Sequence, residues 1–518
     1  MPWSLVSCTA VVCGLLAGGA GAGPATVFRV HEVALEAERP SAAPYVHGPE
    51  VAATFTGTSG AAAGRSYRVQ GFWDGGRTWR IRFAPTTPGA WSYVTASEDL
   101  GLNEKRGTFH AVAATPDELQ ANPLLRGFLE RRGHAWALSD GKPFVPVGDT
   151  QWSFAEEFSL DEFRQWMDAL AQRGLNTMHG CIWLAIYTRN GQAPFRNRDP
   201  RTDELQVEYF RQLDAMVQYA NDKGIMMGLC IGGFPDNSQW WRKLDTRERD
   251  DRWFRYCVAR YSAHSVRWVL YGEVDEANPP WGKWADEVRR KAALVKSVDP
   301  YRHPIGSHHR SVDTSSADDP NMDYIEVQAQ SGSLWQQALK LRAHGKPIWE
   351  EEYWYECKHD MTEGIRDTYR TFVAALGHPT FGSAMRAHEA MKGFAPAAAQ
   401  QRGLSLKDYL LQHDDGLRWM GHFAAFVKDL DTLRFEPATS LVSAGQCGRF
   451  GADYLLFREG GGDVTIDLSH VRGSFDVTAM TVRDGQVRRL GAVTGGAPRA
   501  LATGTAEDVA LRLTRRGD

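Results

Sequence analysis

Cysteine is scarce in this sequence. There are seven in 518 residues and none forms a C-x-x-C pair, so neither a disulfide framework nor a zinc site of the usual spacing is encoded. No block of basic residues occurs. The formal net charge of -4 leaves no electrostatic footprint for nucleic acid. No Gly-rich phosphate loop joins a strand to a helix, which argues against the nucleotide-binding α/β classes. Beyond the N-terminus no apolar run is long enough to span a bilayer. No cofactor is expected, and no metal: the histidines match no zinc signature.

The first 22 residues also lack Lys, Arg, Asp and Glu. An apolar run from Leu5 to Leu16 leads to Ala20-Gly21-Ala22, which reads as a signal peptide over 1–22 and predicts a secreted or periplasmic protein. Leu5-Val6-Ser7-Cys8 has lipobox character but precedes the apolar core, so surface attachment is the weaker alternative. Cys8 and Cys13 fall in this segment. Of the others (Cys181, Cys230, Cys257, Cys357, Cys447), Cys181 and Cys230 end neighbouring expected strands and read as buried thiols, with a disulfide as the alternative.

What the sequence does have is length for several domains and 18 tryptophans, whose flat faces suit sugar rings as well as cores. Residues 26–113 read as an N-terminal β-sandwich. Alternating runs at 26–33, 51–56, 67–73, 78–83, 89–95 and 107–112 are broken by Gly, Pro and Asp turns, and Trp73-Asp74-Gly75-Gly76 is a hairpin signal. From 122 to 430 short apolar runs alternate with amphipathic helices instead. Strands are expected at 144–148, 177–183, 225–232, 266–271, 304–307, 324–327, from 348, and at 380–384. A capping box, Ser159 with Glu162, opens the first helix and Gly174 stops it. Further helices are expected at 204–223, 250–264, 283–297, 333–344 and 362–376. Eight strands, each followed by a helix, predict a (β/α)8 TIM barrel. After a helix at 416–430, alternation returns and 436–516 reads as a C-terminal β-sandwich.

The stretch Lys346–Glu356 crowds four carboxylates (Glu350, Glu351, Glu352, Glu356) among Trp349, Tyr353, Trp354 and Tyr355. Like charges raise one another's pKa, so their place at the end of strand seven suggests a use. Glu273, the first carboxylate after strand four, is the expected partner, because those two strand ends face each other across a barrel mouth. Carboxylates about 5 Å apart there would suit double-displacement glycoside hydrolysis, and a wider gap would suit inversion. By strand alternation Glu350 shares the face of Glu352 and Glu351 points away. Candidate substrate-binding residues at other strand ends are Asp149, Trp152, His179, Trp183, His308, Gln328, Tyr353 and Trp354, with His309 and Gln330 as neighbours. Trp240, Trp241, Trp281, Trp284 and Trp335 divide between stacking platforms and packing.

Three stretches carry a resemblance: Gly148-Asp149-Thr150-Gln151-Trp152 after strand one, Gly272-Glu273 after strand four, and Glu352-Tyr353-Trp354-Tyr355-Glu356 after strand seven. On these the chain resembles secreted bacterial proteins with a small β-sandwich, an apiosidase-like barrel of the clan A glycoside hydrolase type and a C-terminal β-domain. The resemblance implies a retaining glycosidase acting on a poly- or oligosaccharide, with Glu273 as acid/base and Glu352 as nucleophile. Two departures stand out. Many clan A enzymes have Asn where Gly272 stands, and a Trp near the end of strand eight, which residues 383–389 lack. They keep open a non-catalytic carbohydrate-binding or scaffold protein on a degenerate barrel.

Overall fold

The computed structural model describes residues 24–185, 192–310, 315–328, 334–352, 361–381 and 395–517. The signal-like segment, Gln330, Tyr353, Trp354, Cys357 and the expected end of strand eight lie outside them.

Residues 25–112 form two sheets on a shared core. One has five strands in the order Ala25–Thr26, Arg106–Val112, Gly89–Ser97, Val51–Gly57, Ser66–Gln70, and the other is His31–Glu36, Thr78–Phe83, Phe72–Trp73. Phe55 and Phe83 stack across the core at 4.2 Å. Two runs that read as single strands are divided between the sheets. The run at 26–33 breaks at Phe28, whose φ is +59°. The run at 67–73 turns at Gly71, where a Cβ would lie 2.6 Å from the Val51 side chain. Alternation cannot show a strand that changes sheets, because the pattern continues across the corner.

The central region supplies β1 (Gly148–Thr150), β2 (Thr177–Cys181), β3 (Met226–Cys230), β4 (Val266–Val269), β5 (Ile305–Gly306), β6 (Ile325–Gln328), β7 (Ile348–Glu352) and β8 (Gly377–Phe381). They form one eight-stranded sheet in the order β5-β4-β3-β2-β1-β8-β7-β6, every pairing parallel. This is the strand order of a TIM-barrel-type enzyme. The β5 and β6 edges meet at their bases, where the Asp323 N–H donates to Ile305 O at 2.8 Å. Outside the sheet lie α1 (Leu160–Gln172), α2 (Val207–Asp222), α3 (Arg247–Tyr261), α4 (Trp284–Val298), α5 (Leu334–Leu341) and α6 (Met361–Ala375), then α7 (Ala395–Gln401), α8 (Leu406–His413) and α9 (Asp415–Val427).

The capping box forms as expected: Ser159 Oγ accepts from the Glu162 N–H and the Glu162 carboxylate accepts from the Ser159 N–H, a cap of about 1 kcal/mol. Other expectations need correction. Strand one does not begin at Phe144. Pro143–Phe144 belongs to a three-stranded antiparallel sheet with Ala135–Leu138 and Leu129–Arg132. That sheet covers the base of the barrel, its Trp136 packing on Tyr324 and Trp349. Strand eight starts at Gly377, earlier than expected, because Pro379 inside it disguised the run. Between β5 and β6 no helix occurs among the described residues, and α7 and α8 were not anticipated.

The C-terminal region has a six-stranded sheet, in the order Phe435–Pro437, Gln446–Phe450, Asp453–Arg458, Val509–Arg515, Ser474–Thr481, Val487–Thr494, and a two-stranded sheet of Val464–Asp467 and Pro498–Leu501. The first alternating run of this region, 441–443, is not a strand but the end of the 3-10 turn Thr439–Leu441 and a single bridge from Val442 to Ile466. Alternate residues of the large sheet face two ways. Tyr454, Leu456 and Phe475 build a local core, while Phe450 and Phe457 stack on Phe372 and Tyr369 of α6.

The N-terminal sheets join the barrel through buried charge. Arg82 donates to Asp214 on α2, and Arg260 on α3 donates to both Asp214 and Asp74. Arg80 and Glu32 complete the group.

Candidate active site

The barrel interior is polar where apolar layers are usual. Two glycines make the room. A Cβ on Gly228 would lie 2.6 Å from the Arg267 guanidinium, and one on Gly306 would lie 2.4 Å from the Glu326 carboxylate. Into this space come His179 from β2, Arg267 from β4, Glu326 from β6 and Glu351 from β7, each essentially inaccessible to solvent. Arg267 pairs with Glu351, donates to the Tyr324 hydroxyl at 2.7 Å and stacks on Trp349. His179 Nε2 lies 2.9 Å from Glu351 Oε2 and Nδ1 lies 3.4 Å from the same guanidinium, which a neutral ring with its proton on Nε2 satisfies. Burial works to raise the Glu351 carboxyl, but Arg267 and then His179 overcome it and hold it low. Burial and the adjacent Glu351 charge push the Glu326 carboxyl well above its ordinary range. Glu326 therefore keeps its proton beside an ionised Glu351.

Above this layer Trp152 packs edge-on to His179 at 4.4 Å and to Phe234 at 4.8 Å, and lies 4.9 Å from His308. His308 links the two expected catalytic residues. Its Nδ1 accepts from the Glu273 N–H at 3.2 Å, and its Nε2 stands 3.7 Å from Glu352 Oε2. Burial pushes the His308 imidazole down to about 3. It is neutral near pH 7, with Nδ1 as acceptor and the Nε2–H on the side of Glu352.

Glu273 sits in the left-handed region, at φ +44°, a conformation that costs a non-glycine residue free energy and persists only when its surroundings hold it. Three contacts do so: the backbone bond to His308, Gln328 Nε2 donating to Oε1 at 3.1 Å, and Asn237 Nδ2 donating to Oε2 at 2.6 Å. Gly272 before it is enforced, since a Cβ there would lie 2.3 Å from the Phe234 ring. Gln328 also ties the two glutamates together, being the β6 ladder partner of Glu352.

That ladder explains the acidic triplet. The register steps from Val327 opposite Glu350 to Gln328 opposite Glu352, passing over Glu351. Glu350 turns outward to α6, near Thr371 and Asp367, and burial holds its carboxyl well above the ordinary range. Glu351 turns inward. The irregularity then breaks strict alternation, so Glu352 does not share the face of Glu350 as expected, and its carboxylate reaches His308 instead.

Trp152, Glu273, His308, Gln328 and Glu352 thus gather at the C-terminal ends of β1, β4, β5, β6 and β7. Three expected ligands do not join them. Asp149 accepts from Trp166 Nε1 on α1 at 3.1 Å, making it a strut between β1 and the helix layer. His179 is spent in the buried network below. Trp183 is fully buried against Phe195 and Trp240. Trp240 and Trp241 are likewise core, whereas Trp284 is half-exposed beside His309. Cys181 and Cys230 are buried free thiols. No group of three or more His, Cys, Asp or Glu among the described residues is arranged to hold a metal.

Asn237, Arg267, Glu326 and the inward role of Glu351 were missed. Arg267 and Glu326 had a signal, a lone charge inside an apolar strand. Asn237, in the loop after β3, had none.

Residues 132–375 match the family model of the apiosidase-like catalytic domain, and residues 24–98 match that of a domain of unknown function. Among solved structures, a candidate glycoside hydrolase from Bacteroides vulgatus superposes with a TM-score of 0.75 at 18% identity, covering 95% of this chain and 100% of that one. A family 5 glycoside hydrolase from the same organism gives 0.65 at 16% identity, over 76% of this chain and 95% of that one. No curated protein matches. The solved structures establish the shared fold. The class is that of a glycoside hydrolase, an enzyme acting on carbohydrate. Within it, residues 132–375 are similar to the apiosidase-like catalytic domain, behind an N-terminal β-domain.

Proposed function

We propose that the protein is a secreted retaining glycoside hydrolase that cleaves an O-glycosidic bond in a poly- or oligosaccharide, with Glu352 as nucleophile and Glu273 as acid/base. The observation that carries this is the coupling of the two glutamates through His308 and Gln328 at the ends of β4 and β7. Glu352 attacks the anomeric carbon while the Glu273 proton passes to the departing oxygen. Glu273 then takes a proton from water, whose oxygen displaces Glu352 from the sugar. The neutral His308 ring beside Glu352 sets no positive charge against it. The signal-like segment at 1–22 supports secretion.

Glu352→Gln should abolish hydrolysis of every polysaccharide the wild type cleaves, with the melting curve unchanged. Glu273→Ala should lose most activity on natural linkages yet keep substantial turnover on aryl glycosides, whose leaving groups need no proton. NMR of the first-formed product should show the anomer of the substrate. Full activity in Glu352→Gln would sink the assignment, and the opposite anomer would make the enzyme inverting.

A further inference from the structure

A cavity of about 680 Å³ lies outside the barrel, between the N-terminal sheets and the outer face of α3. It begins on the mouth side, where α3 starts at Arg247 and where Tyr45 on its wall meets Phe195 of the β2–α2 connection at 6.0 Å. Its size suits a small ligand. Its walls combine flat rings (Tyr45, Trp73, Trp79, Tyr256) with two planar polar side chains, Gln70 and Arg255.

Most charges around it are occupied. Arg247 lies against Glu287, Arg252 pairs with Asp203 and Glu248, and Asp251 pairs with Arg290 and Lys291. The Arg255 guanidinium and the Gln70 amide, by contrast, form no side-chain hydrogen bond or ion pair among the described residues, and neither does the Trp79 indole N–H. The acids on the same walls balance the arginines, so the cavity is not a polyanion site. Rings that accept the C–H face of a pyranose, next to an amide and a guanidinium that bond hydroxyl groups, are the chemistry of a neutral sugar chain.

We propose that this cavity is a second, non-catalytic saccharide-binding site, which holds a polysaccharide alongside the barrel while another part of the chain occupies the mouth. The proposal rests on the reading of the protein as one that acts on carbohydrate, and its test separates the two.

The test uses the full chain carrying Glu352→Gln, to prevent cleavage, run in native gels containing a neutral polysaccharide: a mannan, a xylan, a β-glucan or an arabinan. At least one polysaccharide should retard it. Adding Gln70→Ala and Arg255→Ala should weaken that retardation about tenfold, the expected worth of losing hydrogen bonds that involve a charged donor. The same two substitutions in the otherwise wild-type enzyme should leave turnover of a short aryl glycoside within about twofold and lower turnover of the polymer. Gln70 and Arg255 are away from the barrel core, so melting temperature checks the fold. Equal retardation with and without the cavity substitutions, or no retardation by any polysaccharide, would overturn the proposal. A wild type that cleaves nothing, yet is retarded through Gln70 and Arg255, would sink the hydrolase reading and leave this one standing.

Discussion

At the joint between the N-terminal sheets and the barrel, Arg80, Arg82 and Arg260 meet Glu32, Asp74 and Asp214. Beneath the mouth, Arg267 alone meets two carboxylates, Glu351 and Glu326, with a neutral histidine beside them. The joint is balanced. Burial works to raise the Asp214 carboxyl, but Arg82 and Arg260 hold it far below the ordinary range, so it stays ionised between them. The network under the mouth is one cation short, and Glu326 makes up the difference by keeping its proton. A joint between domains needs fixed complementary charge. A site needs an environment that decides which of several acids ionises, and local imbalance supplies it.

Asp214→Asn should break the comparison hardest. It leaves two buried guanidiniums short of a partner, at a cost of about 3 to 5 kcal/mol, read by urea unfolding at pH 7. The folded-state pKa of Asp214 is depressed. Its contribution is therefore present above the unfolded value of 3.8 and lost on acidification, and the gap between wild type and variant should close below about pH 4. Glu326→Gln should cost under about 1 kcal/mol near pH 4, where an amide replaces a group that is mostly neutral in both the folded and the unfolded chain. Here the folded pKa is raised. The wild type loses stability as pH climbs from the unfolded 4.5 toward the folded value, so the variant should gain relative to it from about pH 4.5 upward. A loss as large as that of Asp214→Asn would show Glu326 to be ionised.

The smallest effect sharpens the site itself. Asn237 donates to Glu273 from an exposed loop and, with Gln328, fixes the direction of its carboxyl group. Asn237→Ala should lower kcat/KM on natural linkages about fivefold, with little change in melting temperature. An unchanged kcat/KM would reduce Asn237 to a surface contact.

Much of this was legible in the residues. The eight apolar runs, the capping box at Ser159 and the stop at Gly174 are local signals, and they placed Glu273 and Glu352 at the ends of β4 and β7. Misreadings came where a local pattern served a distant partner. Asp149 looked like a ligand because it ends β1, but the Trp166 indole claims it. Phe144 looked like strand one because it is apolar, but it pairs with Trp136 in the base sheet.

By itself the sequence determined the alternation of strands and helices and the two glutamates at facing strand ends, since hydrophobic period and chain order are properties of neighbours along the chain. Only the tertiary structure decided how three consecutive glutamates divide, with Glu350 to α6, Glu351 to the buried network and Glu352 to the mouth. The direction of each depends on a register irregularity against β6 and on Arg267 and His308 from other strands, none of which leaves a trace in the stretch itself.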